Sequence, residues 1–139
     1  MNKTQKKDLA SLTLLGAGGK NKPLKKLESF PNKTDRPYLI ELTTEEFTCL
    51  CPMTGQPDFA KIKISYVPGK KILESKSLKM YLWSFRNTGC FHEHVVNAII
   101  DDIAKAVEPV WCMVEGDFNA RGGIAIKVKA QTGTRPENV

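Results

Sequence analysis

No run of apolar residues in this chain approaches the ~20 that a membrane-spanning helix needs, and its lysine-rich start has no apolar signal core behind it. A soluble protein of the cytoplasm is the expectation. Cysteine is scarce, with four in 139 residues, at positions 49, 51, 90 and 112. Without an export signal these are expected as free thiols rather than a disulfide framework. Histidine is scarcer still, at two. The pairs Cys49-x-Cys51 and Cys90-x-His92-x-His94 fit zinc poorly, because zinc knuckles place two to four residues between paired ligands. No metal is expected. No G-x-G-x-x-G motif joins a strand to a helix, so any dinucleotide would be held without a Rossmann domain. Gly16-Ala-Gly-Gly-Lys20 imitates a phosphate loop but lacks its spacing and its flanking strand and helix. The net charge of +6 is also missing from most of the chain. Residues 1–36 hold nine Lys or Arg against three Asp or Glu, and residues 37–139 hold twelve of each sign. A nucleic-acid role would therefore belong to the arm and not to the fold; none is expected.

The remaining composition, 41% hydrophobic and 26% charged, is that of one ordinary globular domain. Residues 1–26 form a basic arm expected to be flexible, residues 27–130 the folded domain, and residues 131–139 a polar tail. The segment 29–37 reads as a turn-rich connector, and 37–43 as a first strand. Over 60–67, Ala60, Ile62, Ile64 and Tyr66 alternate with Lys61, Lys63 and Ser65, which marks a second strand. Residues 68–71 make a turn. Residues 75–85 read as a helix with Leu78, Tyr81, Leu82 and Phe85 on one stripe and Lys76, Lys79, Trp83 and Arg86 on another. Asn87-Thr-Gly89 is expected to end it, with the glycine as a left-handed cap. A second helix runs over 92–107 up to Pro109, followed by strands at 110–118 and 123–130. The order β-β-α-α-β-β predicts an α+β fold, an antiparallel four-stranded sheet with both helices on one face. Its second face and two edges would lie uncovered, so an oligomer is expected.

The stretch Phe47-Thr-Cys-Leu-Cys-Pro-Met-Thr-Gly-Gln-Pro-Asp-Phe-Ala60 reads as strand, tight loop, strand. It can hold the Cys51 thiol and the Asp58 carboxyl near one another at the rim of a sheet. A thiol is a good nucleophile near neutral pH, and a neighbouring carboxylic acid can protonate the adduct. Taken alone, the pair reads more simply as a buried small side chain and a turn residue. Likewise Glu93, beside His92 at a helix start, is either a favourable first-turn charge or a carboxylate that pairs with a guanidine-like edge. Lys76, Lys79 and Arg121 are either solvated charges or a phosphate clamp with Trp83 as a flat surface.

Read together, these pieces acquire a common sense. Glu74-Ser-Lys-Ser-Leu-Lys-Met-Tyr-Leu-Trp-Ser-Phe-Arg86 resembles the signature helix of the NADPH-dependent 7-cyano-7-deazaguanine reductases, the nitrile reductases of queuosine biosynthesis. Cys51-Pro-Met-Thr-Gly-Gln-Pro-Asp58, Phe91-His-Glu93 and Arg121-Gly-Gly123 resemble the same family, in the same order. The resemblance spans residues 27–128 and implies the short, single-module type. It implies the tunnelling fold, whose subunits join sheets into a barrel, typically two stacked pentamers, with active sites at subunit boundaries. It also implies roles. Cys51 would add to the nitrile carbon to give a thioimide, and Asp58 would protonate the nitrogen. Leu73, Glu74, Ser75, His92 and Glu93 would hold the deazaguanine. Lys76, Lys79 and Arg121 would contact NADPH, two of which would be used per turnover.

Three rivals accompany this reading. An amidinotransferase-like relative would form the same thioimide on modified tRNA, but lacks the lysine helix present here. A zinc-dependent pterin-type hydrolase of the same fold would need Cys and His ligands. A basic binding module would act through residues 1–36. None of the three accounts at once for Cys51, Asp58, Glu93 and the lysine helix.

Overall fold

The computed structural model describes residues 4–13 and 23–139. The phosphate-loop imitation at 16–20 therefore lies outside the described residues. Six strands and two helices follow in order: β1 (Ser29–Pro31), β2 (Ile40–Leu50), β3 (Pro57–Val67), β4 (Lys71–Leu73), α1 (Ser75–Trp83), α2 (His92–Val107), β5 (Trp111–Arg121) and β6 (Ile124–Gly133). Strands β2-β3-β5-β6 form one antiparallel sheet in that spatial order, with β2 and β6 at its edges. This is the α+β arrangement that the element order predicts.

The alternation in β3 decides which face is covered. Ala60, Ile62, Ile64 and Tyr66 are all buried, and on β5 Cys112, Val114, Gly116 and Phe118 join them. Helix α2 packs here through Val96, Ile99, Ile103 and Val107, all of them fully buried. Valine and isoleucine are mediocre helix formers, each costing a few tenths of a kcal/mol. Burial of such a side chain returns about 1.5–3 kcal/mol, so tertiary packing decides that this segment is helical. Gly116 lets the helix approach: a Cβ there would stand 2.6 Å from Val96 Cγ2. The Tyr81 hydroxyl donates to Asp102 Oδ2 at 2.6 Å and fastens α1 to α2. The opposite face carries ion pairs between neighbouring strands, Lys61–Glu45, Lys63–Glu41, Lys129–Glu115 and Lys127–Asp117, at 3.0 to 3.8 Å.

Several boundaries differ from the sequence expectation. The first long strand begins at Ile40 rather than 37 and continues to Leu50, past a bulge between Thr44 and Phe47 that breaks its alternation. The last strand runs three residues beyond 130, with Gln131, Thr132 and Gly133 paired to Met113, Cys112 and Trp111. The connector and turn contain a small antiparallel pair that alternation could not reveal, since β1 and β4 have three residues each. Helix α1 stops at Trp83, and Gly89 is not a left-handed cap. Gly89 instead forms a parallel bridge with Leu50, and its Cβ would meet Pro52 Cα at 3.2 Å. Close approach, not φ, favours glycine there. Helix α2 ends on Glu108 with φ 47°, a left-handed cap supplied by a non-glycine residue before Pro109.

Residues 4–13 contain a single turn of 3₁₀ helix at Lys6–Leu9. Asp8 pairs with Lys33 at 2.5 Å, and the Thr13 amide donates to the Glu28 carboxylate at 2.9 Å. No helix among the described residues is long and apolar enough to cross a membrane.

Candidate active site

The 47–60 stretch folds as expected into a hairpin, with the end of β2 and the start of β3 flanking a short turn. The Cys51 amide donates to the Gln56 carbonyl at 2.8 Å, and the Gly55 amide to the Cys51 carbonyl at 2.9 Å. Gly55 closes the turn at φ 71°, a left-handed conformation that favours glycine. The turn directs polar groups at the Cys51 sulfur. The Thr54 hydroxyl holds the thiol below the usual cysteine range, helped by the Thr54 and Met53 amides and by the charge of Arg121. The other three thiols shift the opposite way. Burial pushes Cys49 up to about 12, with Cys90 as a weaker cause, and burial alone pushes Cys112 to about 12. Burial also raises Cys90. All four are free, and Cys51 alone is shifted toward the thiolate side.

Asp58 lies on the inner face of β3, one alternation before Ala60, and is 5% exposed. A carboxylate placed there must find partners. Arg121 Nη1 donates to Oδ1 at 2.6 Å, and His92 Nε2 lies 3.2 Å from Oδ2. The His92 ring stacks on Phe118 at 3.8 Å between centroids and 8° between planes, which fixes its edge toward the carboxylate. Arg121 Nη2 donates to the Gln56 side-chain oxygen. Thr48 Oγ1 donates to the Asp58 carbonyl at 2.8 Å. A turn, two strands and a helix thus bring Cys51, Asp58, Arg121 and His92 to one end of the sheet. Glu93 stands beside them, exposed in the first turn of α2.

The remaining candidates gather at α1. The Glu74 side chain caps that helix, accepting from the Lys76 and Ser77 amides at 2.7 Å each. A cap of this kind is worth about 1 kcal/mol, and it engages both oxygens of a carboxylate that is 4% exposed. Leu73 is buried, and its amide donates to the Tyr66 hydroxyl at 3.0 Å. Ser75, Lys79, Trp83 and Arg86 line an open groove of about 840 Å³. Its other wall is the bulged edge of the sheet, including Phe47, Thr48 and Phe59, so the groove runs to the neighbours of Asp58. Lys76 is on the same helix, half-buried, outside the groove lining. Sequence reasoning missed Thr54 and Gln56, visible only as turn formers, and Thr48. Arg86 it placed on the polar stripe without a role.

Comparisons with known proteins identify the family. The family described as QueF-like protein matches residues 57–137. A relative from Syntrophus aciditrophicus (strain SB), named NADPH-dependent 7-cyano-7-deazaguanine reductase, is 57% identical over 92% of this chain and 91% of its own. The chain belongs to the QueF family of 7-cyano-7-deazaguanine reductases. Relatives of the same name in Anaeromyxobacter sp. (strain Fw109-5) and Thermomicrobium roseum are each 56% identical. They cover 85% and 78% of this chain, and 98% and 86% of their own. A solved structure described as the archaeosine synthase QueF-Like in the apo form superposes with a TM-score of 0.66. At 24% identity, over 73% of this chain and 99% of that one, it shows that this QueF family member shares the fold.

A test of the thiol's environment follows. Thr54→Val removes the hydroxyl that contributes most to the low Cys51 value. The pH profile of Cys51 alkylation by iodoacetamide, read by mass spectrometry, is expected to move to higher pH. At pH 7 the variant should react more slowly, because a smaller fraction of the sulfur is thiolate. An unchanged profile would remove Thr54 from the account.

Proposed function

We propose that this chain reduces the nitrile of 7-cyano-7-deazaguanine to the aminomethyl group, with Cys51 as nucleophile and two NADPH consumed per turnover. The observation that carries the reading is the pairing of the one thiol held below its usual range with a buried carboxyl in the same hairpin. A nitrile is a poor hydride acceptor. Attack by the Cys51 sulfur on its carbon, with a proton delivered to its nitrogen, gives a thioimide that accepts hydride readily. Asp58 moves that proton: it takes it from the thiol and hands it to the nitrogen, so no net proton is needed for this step. NADPH, when bound, supplies one hydride to the thioimide carbon and a second to the imine left after the Cys51 thiolate departs. One solvent proton completes the amine and a second restores the Cys51 thiol.

The groove beside α1 suits a dinucleotide. It has cationic groups on one wall, Lys79 and Arg86, and the indole of Trp83 between them. Lys76, Lys79 and Arg121 are the proposed phosphate contacts. Leu73, Glu74, Ser75, His92 and Glu93 are the proposed holders of the deazaguanine, with the exposed Glu93 carboxylate reading its guanidine-like edge. Since the Glu74 carboxylate caps α1, its contribution is to hold that helix start in place. Assembly of sheets into a barrel as two stacked pentamers, in the cytoplasm and without direct nucleic-acid contact, is part of the proposal. The edges β2 and β6 support only the joining of sheets.

Mixing the protein with 7-cyano-7-deazaguanine and NADPH tests the activity. The absorbance of NADPH should fall by two equivalents per nitrile consumed. No fall, or a fall independent of the nitrile, would refute the reading.

A further inference from the structure

Gln56 takes no part in the roles above, yet it touches three groups around the sulfur. Its carbonyl accepts from the Cys51 amide at 2.8 Å, and its own amide donates to Thr54 Oγ1 at 3.3 Å. Its side-chain oxygen accepts from Arg121 Nη2, while Arg121 Nη1 donates to Asp58 Oδ1 at 2.6 Å. Arg121 arrives from the far hairpin, 65 residues along the chain from Gln56, with its side chain 38% exposed. A long exposed arginine held by one carboxylate oxygen can pivot about that bond. A second acceptor on the other nitrogen of the fork fixes the guanidinium plane. The exposed rim offers Arg121 an alternative in solvent, so the second acceptor matters most here.

We propose that Gln56 is a positioning residue for the reaction. It clamps the Arg121 guanidinium in the orientation that aims Asp58 at the Cys51 sulfur and keeps a positive charge beside that sulfur. This rests on the roles given to Cys51 and Asp58 above. The clamp also explains why a hairpin turn should carry a glutamine with an acceptor, where any turn former would close the backbone.

The test uses Gln56→Leu, which keeps the size and removes the acceptor, and Gln56→Glu, which keeps an acceptor for the guanidinium. Gln56 is exposed, so both variants should fold. Gln56→Leu is expected to move the Cys51 alkylation profile to higher pH and to lower kcat roughly tenfold, the scale of one lost orienting hydrogen bond. The deciding readouts are kcat and the alkylation profile rather than the KM for NADPH, because Arg121 is itself a proposed phosphate contact. Gln56→Glu should retain most of kcat. A wild-type alkylation profile in Gln56→Leu overturns the clamp. So does an effect confined to the KM for NADPH, or a Gln56→Glu variant as slow as Gln56→Leu. If the wild-type protein reduces no nitrile, the functional reading fails instead, and the alkylation profile alone decides the clamp.

Discussion

Cys51→Ala is expected to lower nitrile reduction by at least about 10³-fold while leaving the fold intact. The two backbone hydrogen bonds that close the hairpin at this residue, Cys51 N to Gln56 O and Gly55 N to Cys51 O, do not involve the sulfur. The side chain is only half-buried, so its loss opens no core cavity and the melting temperature should stay within a few degrees. No other thiol can take over. Cys49 and Cys112 are fully buried and pushed up to about 12, where the thiolate fraction at pH 7 is negligible. Cys90 is shifted upward as well. The check is the initial rate of NADPH loss beside a thermal melt. Activity within tenfold of wild type on folded Cys51→Ala would remove the nucleophile assignment.

Asp58→Asn is expected to lower kcat by about 10²–10⁴-fold, the range for a positioned acid or base. The amide keeps the shape of the carboxyl but cannot carry a proton from the thiol to the nitrile nitrogen. Stability should fall too. Arg121 and His92 both face this carboxylate, and the amide would give them at most one neutral acceptor. Breaking a fully buried ion pair costs about 3–5 kcal/mol. Arg121 is more than a third exposed and can turn to water, so a loss of roughly 1–2 kcal/mol is expected, seen as a melting point lowered by several degrees. Rapid mixing with the nitrile, followed by mass spectrometry, separates the two effects. A wild-type rate of adduct formation in a merely destabilised Asp58→Asn would leave Asp58 a structural residue.

What the sequence made legible was whatever repeats along the chain. The alternation of Ala60 to Tyr66 and the helical spacing of Val96 to Val107 located β3 and α2, because one face of each is buried. The Cys51 hairpin was readable from its turn formers. Contacts between distant segments were not. The β1–β4 pair joins Ser29–Pro31 to Lys71–Leu73 through three residues a side, too few to show a period. The bulge at Thr44–Phe47 puts two glutamates in succession, which hid the length of β2. Glu74 as a helix cap was obscured by Ser75 behind it, the commoner capping type. At the site, residue types were evident while partnerships were not. Arg121 was legible as a cation in a turn, but its partners Asp58, 63 residues away in the chain, and Gln56 were not.

The central claim is that Cys51 bonds to the nitrile carbon before any hydride arrives. Mass spectrometry of the purified protein mixed with 7-cyano-7-deazaguanine, with NADPH left out, tests it most directly. The account predicts a gain of one nitrile molecule, located on the peptide that contains Cys51 and absent from Cys51→Ala. An unmodified mass, on the same folded preparation that consumes NADPH when nitrile and cofactor are both supplied, would contradict it.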